Sequence, residues 1–220
     1  MRKFSLQPLL VLIVALVLSN PLLAADKMAA NKENPAVELA SLLSSYETYQ
    51  ADFIQIVVNE SGNKVQETRG SLKAKRPGLF YWETHGALSQ FIVSNGDTVE
   101  VYDPDLEQVT IHSLDGRVQT TPALLLSGEV ANLEETYRVS ERQINDDTRE
   151  FTLEPKSEDS LFVSLQLRFL NKELQEMRMR DSLSQLSVLS FDHIQLNENV
   201  DKSVFKLEYP EDVDVIGDAD

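Results

Sequence analysis

Residues that commonly carry chemistry are sparse in this chain, and their spacing matches no reaction. The three histidines, His85, His112 and His193, are scattered, with no metal-ligand spacing. There is no Gly-x-Ser-x-Gly nucleophile elbow and no glycine loop to cradle a phosphate. Cysteine is absent, which removes disulfides, thiolate metal sites, thiol nucleophiles and cysteine-linked lipid anchors. Acidic pairs such as Glu134-Glu135 and Asp146-Asp147 read as solvated surface in a chain of net charge −16. A hydrolytic triad assembles in space and leaves no mark in residue order, so a lipid-processing hydrolase stays open at this level. The expectation is a protein that is not an enzyme and holds no metal and no cofactor.

One stretch is informative: Gly70-Ser71-Leu72-Lys73-Ala74-Lys75-Arg76-Pro77-Gly78-Leu79-Phe80-Tyr81-Trp82-Glu83. Even positions of an extended chain share a face, so Phe80 and Trp82 point the same way, with Arg76 beyond the Pro-Gly interruption. Two readings fit. In the first, this is a core strand with two aromatics, preceded by a surface arginine. In the second, the aromatics wall an apolar cavity and Arg76 stands at its rim, its five donors suited to hold backbone carbonyls of a movable cover.

A second stretch has the same ambiguity. Thr121-Pro122-Ala123-Leu124-Leu125-Leu126-Ser127-Gly128 has a cap, a first-position proline and a closing glycine. It predicts a helix of about two turns. Leu124, Leu125 and Leu126 are consecutive and wrap around it, so it is either a core helix or a lid over an apolar pocket. A helix this short is marginal alone, and its position depends on what it packs against.

These side chains need a frame. The chain has 220 residues and 42% apolar content, near the globular average. Its 36 acidic residues outnumber 20 basic ones, which argues against nucleic acid, a partner that requires clustered positive charge. Met1-Arg2-Lys3, the apolar run Leu9 to Leu18 and Ala24-Ala25 read as a signal peptide over residues 1–25, cleaved after Ala24 or Ala25. The run is shorter than the about 20 residues that span a membrane. The expected address is an exported compartment. No composition break divides residues 26–220, so one domain is expected, polar over Asp26 to Asn34 and ending in a loose acidic tail from about Pro210.

Asn34-Pro35 opens a helix expected to reach about Tyr46, with Ala36, Leu39, Ala40 and Leu43 on one face. From Tyr49 the period becomes two. Strands are expected at residues 49–57, 65–75, 79–83, 88–93, 98–102 and 108–113. After the Leu124 region, where Val130 to Glu135 has room for another helical turn, they resume at 137–144, 149–154, 161–170, 173–180, 186–196 and 204–207. In the strand 161–170, Leu161, Val163, Leu165, Leu167 and Phe169 are assigned to one dry face. The pattern is mainly β, a meander or barrel of about 11 strands.

In this order the residues resemble the outer-membrane lipoprotein carrier family (LolA/LolB-like). The strongest match is Gly70-x-Leu72-x-x-Lys75-Arg76-Pro77-x-Leu79-Phe80-x-Trp82. The signal peptide, the Asn34-Pro35 helix, Phe53-x-Gln55, Ser94-Asn95-Gly96 leading to Asp103-Pro104, Thr121-Pro122 and Phe151-x-Leu153-x-Pro155 add to it. The resemblance implies an incomplete antiparallel β-barrel with a helical lid (α+β, mainly β). It implies a periplasmic carrier, likewise monomeric, that binds triacylated lipoproteins by their acyl chains. Cargo would come from an inner-membrane ABC transporter complex (LolCDE-like) and go to an outer-membrane receptor (LolB-like). It further implies Arg76 as the lid latch, Phe53, Leu72, Phe80 and Trp82 around the acyl-chain cavity, and Pro122, Leu124, Leu125 and Leu126 in the lid helix. The related receptor is itself a lipoprotein, and the missing cysteine places this chain with the carrier. The alternative is a periplasmic lipid or lipoprotein sensor on the same half-barrel. The acidity of this chain, including Asp212, Asp214, Asp218 and Asp220 in the tail, departs from the family pattern.

Overall fold

Asn34 begins the first helix as its chemistry requires. Its Oδ1 accepts the Ala36 N–H at 3.0 Å, and Pro35 fills the first turn of α1, Pro35–Leu43. Ala36, Leu39, Leu42 and Leu43 are buried. The helix stops short of Tyr46 because Ser45 Oγ donates to the Leu42 carbonyl at 2.6 Å, a local bond that competes with a further turn. Tyr46 is still buried, in the core.

The computed structural model describes residues 34–86, 89–113, 122–128, 130, 132–158, 160 and 162–217. The expected signal peptide, the polar segment before Asn34, the Thr121 cap and the last three tail residues lie outside them. Among the described residues no helix is long and apolar enough to cross a membrane.

The first strands are β1 (Thr48–Val58), β2 (Lys64–Lys75), β3 (Leu79–His85), β4 (Gln90–Asn95), β5 (Thr98–Asp103) and β6 (Gln108–Ser113). A short helix, α2 (Leu133–Thr136), precedes β7 (Tyr137–Gln143), β8 (Thr148–Pro155), β9 (Phe162–Leu170), β10 (Glu173–Asp181) and β11 (Leu186–Leu196). With β12 (Asp214–Gly217) they make one 12-stranded sheet in the order β12-β6-β5-β4-β3-β2-β1-β11-β10-β9-β8-β7. Neighbours are antiparallel except β12, which runs parallel to β6. Among the described residues β12 and β7 do not pair, so the barrel is incomplete. Residues 122–126, α1 and α2 supply Leu39, Leu124, Leu126 and Leu133 to the core on its inner face.

Three expectations change. Val163 is 49% exposed while Phe162 is buried, reversing the alternation at the start of that strand. The β9–β10 register shifts there, with Val163 as the extra residue, so the face changes only at the start of the strand, while Leu165, Leu167 and Phe169 are buried as assigned. Residues 204–207 are not a strand: Lys202–Phe205 is a 3₁₀ turn capped by Asp201, whose Oδ1 accepts the Ser203 N–H at 2.8 Å. The tail expected to be loose carries β12, anchored where Asp214 N–H donates to the Glu107 carbonyl at 2.9 Å.

Charges cross β7 to β10 as a ladder. Glu150, 4% exposed, accepts from Arg142 at 2.7 Å and Arg168 at 3.1 Å, and Arg168 also pairs with Glu176 at 3.3 Å. Burial pushes the Glu150 carboxyl up, but the two guanidinium groups outweigh it and hold it below the usual carboxylate range. With the folded pKa below the unfolded one, the stabilisation is present above the ordinary range and is lost as pH falls through it. Glu150→Gln should lower the thermal midpoint at pH 7, a loss of about 1–3 kcal/mol, and the deficit should shrink as acid protonates the wild-type carboxylate. Thermal denaturation at pH 7 and in acid tests this, and a deficit that does not shrink on acidification counts against it.

Candidate ligand cavity

Strand register arranges the inner face in rows. Tyr49, Ala74, Phe80 and Ser94 stand side by side across β1 to β4. Ala51, Leu72, Trp82 and Ile92 form the next row, and Phe53, Gly70, Thr84 and Gln90 the third. Gly70 is a gap in the third row. The Phe53 ring fills it and stacks on Trp82, 3.8 Å between centroids with planes 24° apart. A Cβ at Gly70 would lie 2.5 Å from that ring and 1.9 Å from the Glu83 carbonyl oxygen, so only glycine fits.

Next to this stack is a cavity of about 450 Å³. Trp82, Ile92 and Ala123 form part of its apolar lining, with Leu165, Met177, Met179 and Leu189 from β9 to β11. Two methionines give that wall adaptable, unbranched side chains. Gln55, Gln66, Thr68, Thr84, Gln90, Asp103 and Ser187 make the polar part. Of the aromatic and aliphatic residues singled out in the sequence, Trp82 lines the cavity and Phe53 is stacked on it. Leu72, in the same row as Trp82, and Phe80, one row away, are 1% and 0% exposed and belong to the core, not to the cavity lining.

The cover is Pro122–Leu126, a single 3₁₀ turn instead of the expected two-turn helix. Leu124, Leu125 and Leu126 are all buried, and Ala123 lines the cavity. The turn ends early because its carbonyls face elsewhere. Arg76 Nη2 donates to the Leu125 oxygen at 3.2 Å, and Nη1 donates to the Gly128 oxygen. The Gly78 N–H adds a bond to the Ser127 oxygen at 2.7 Å. Gly78 has φ +71°, and a Cβ there would meet Gly96 Cα at 2.8 Å, so the β2–β3 turn is packed tightly where it holds the cover.

Tyr46 lies beneath the latch and was not singled out by its sequence. Its ring centroid is 5.5 Å from the Arg76 guanidinium carbon. Burial pushes its phenol up to about 12, with Arg76 pulling the other way, so the ring is neutral at physiological pH and presents a π face to the cation. Tyr46 Oη and Arg76 Nε are buried without a hydrogen-bond partner among the described residues. The histidines stand on separate strands: His85 is 3.9 Å from Glu83, and exposed His193 is 2.9 Å from Asp52.

Sheet, helical turn and cavity together define an open β-barrel with a partly apolar cavity, beside a helical turn whose carbonyls are held by Arg76. The chain belongs to the outer membrane lipoprotein carrier protein LolA family, which it matches over residues 44–208. It is 45% identical to the outer-membrane lipoprotein carrier protein of Hahella chejuensis over 204 residues, 92% of this chain and 97% of the relative. It is 47% identical to that of Chromohalobacter salexigens over 194 residues, 88% of this chain and 92% of the relative. Among solved structures, an uncharacterized conserved protein from Thermus thermophilus shares the fold at 14% identity, TM-score 0.50, covering 83% of this chain and 97% of its own.

Proposed function

We infer that this chain is a periplasmic lipoprotein carrier, delivered there by its signal peptide. It holds the acyl chains of triacylated lipoproteins in the cavity. It receives them from an inner-membrane ABC transporter complex of the LolCDE kind and passes them to an outer-membrane receptor of the LolB kind. It acts as a monomer and catalyses no reaction. The observation that carries this reading is Arg76 holding an apolar turn by backbone carbonyls beside a cavity with an apolar wall of Trp82, Ile92, Leu165, Met177, Met179 and Leu189.

Magnitudes explain why a latch is useful. Each fully buried leucine contributes about 1.5–3 kcal/mol, so Leu124, Leu125 and Leu126 dominate the closed state. Acyl chains entering the same space replace apolar contact with apolar contact, which nearly cancels. The balance is then set by polar bonds of about 1.5–3 kcal/mol each from the Arg76 cation. A weak latch thus decides between a large self-contact and an equally large cargo contact. The cavity of about 450 Å³ is modest, and lifting the cover adds the volume its leucines now fill.

Native mass spectrometry after incubation with a purified triacylated lipoprotein should show one intact cargo per chain. No bound cargo, together with no transfer to outer-membrane receptor, would refute the carrier.

A further inference from the structure

An acyl-chain chamber need only be apolar, yet the strand ends around this one are lined with amides and hydroxyls. These groups are organised. Gln55 Nε2 donates to Ser187 Oγ at 2.8 Å, and Thr68 Oγ1 donates to Gln55 Oε1 at 3.4 Å. Across the cavity, the Gln90 backbone N–H donates to Thr84 Oγ1 at 2.8 Å, and Gln90 Nε2 donates to Asp103 Oδ2 at 3.1 Å. All of them line the same cavity.

Register explains their position. Gln55 follows Phe53 by two residues on the inner face of β1, so the face changes from aromatic to polar within one step. Thr68 stands opposite Gln55, while Gln90 stands opposite Thr84 on the other side of the gap at Gly70. On β11 the corresponding step runs from Leu189, opposite Gln55, to Ser187. The polarity therefore sets in over neighbouring levels of adjacent strands, at Thr84 and Gln90 in the Phe53 row, at Gln55 and Thr68 one step on, and at Ser187 a step further, while Leu165, Met177 and Met179 supply apolar lining to the same cavity.

Donor counting gives this rim a chemical preference. In the bonds above Ser187 Oγ accepts, so its hydroxyl hydrogen can still be given. The Gln55 and Gln90 amides each use one N–H and carry a second. These donors are neutral and beside an apolar surface. They fit carbonyl oxygens attached to an apolar tail: the ester carbonyls where two acyl chains join the glyceryl group of a lipoprotein's modified N-terminus.

We propose that this polar rim is the subsite for those linkage carbonyls, with Ser187 and Gln55 as the principal donors and Asp103 orienting the Gln90 amide. The proposal rests on the carrier reading and deepens it: the chamber recognises the linkage as well as the tails.

The test uses the full mature chain and two synthetic lipopeptides. One carries an N-palmitoyl, S-dipalmitoylglyceryl cysteine; its partner has ether links in place of the glyceryl esters, with the amide and chain lengths kept. Competition against an apolar fluorophore in the chamber should show the ester form binding about tenfold more tightly, the size expected for two neutral hydrogen bonds. The preference should shrink to within about twofold in Gln55→Leu/Ser187→Ala, while that variant binds the ether form as wild type does. The ether form thus reports folding of the variant. If wild type binds both peptides equally, the rim proposal is overturned and the carrier reading stands. An ester preference that survives in the variant also overturns it, since the donors then lie elsewhere. If wild type binds neither peptide, both readings fall.

Discussion

Gly70→Ala should lower the thermal midpoint by about 6–12 °C, a loss of about 3 kcal/mol. The added methyl is small, but it has nowhere to go: it would meet the Glu83 carbonyl oxygen at 1.9 Å and the Phe53 ring at 2.5 Å. A flexible side chain can move from such a contact at little cost, whereas a paired carbonyl in the middle of β3 cannot. Strands β2 and β3 must therefore separate locally, which strains the ladder bonds and moves Trp82 away from Phe53. Phe53→Leu should not rescue the variant, because it relieves only the ring contact. Near-ultraviolet circular dichroism should show the stack disturbed below the transition. A melting point within about 2 °C of wild type would show that the gap is not needed.

Arg76→Leu should leave the chain folded but release the cover. The change removes both donors from the Leu125 and Gly128 carbonyls and replaces a cation over Tyr46 with an alkyl chain. Two partly buried acceptors left without donors disfavour the closed form by about 2–4 kcal/mol, or 30- to 1,000-fold in the ratio of closed to open. Hydrogen exchange at residues 123–128 should accelerate accordingly, with strands β7 to β10 unaffected. Cargo uptake should persist while delivery to the receptor falls at least tenfold, because an open carrier no longer regains its own contact when cargo leaves. Arg76→Lys should rescue only in part, since one ammonium cannot fork between two carbonyls. Wild-type exchange and wild-type delivery in Arg76→Leu would remove the latch from the mechanism.

Most of the frame was legible in the sequence, because alternation and turn residues act locally. The strands from Thr48 to Leu196 are found close to where the period of two predicted them. The failures have non-local causes. The bulge at Val163 depends on how β9 meets β10, and nothing in the residue run marks it. The expected strand at Val204 lost to an aspartate cap, and the acidic tail became ordered by finding the edge of β6. Within the site, Arg76 and the Leu124 segment were legible as a cation and an apolar helix of uncertain purpose. The structure joins the two by the bonds from Arg76 to the Leu125 and Gly128 carbonyls. Tyr46 was missed because it fell at the expected end of a helix, where an aromatic residue is unremarked. Met177, Met179 and the inward-facing Gln55 were missed because alternation identifies a face but not whether that face meets a core or a void.

Leaving the barrel open has a price at its margins. A closed barrel has no unpaired ladder, whereas this sheet ends in two among the described residues, and each is a template on which another chain could grow a fibril. On one side the last strand, β12, is four residues long and lies in a stretch of sequence with Asp212, Asp214, Asp218 and Asp220. On the other, β7 carries Arg138, Glu141 and Arg142. Short length on the β12 side and charged side chains on both sides are deterrents to edge-to-edge growth. Two copies that approach by their β12 edges therefore bring carboxylates against carboxylates.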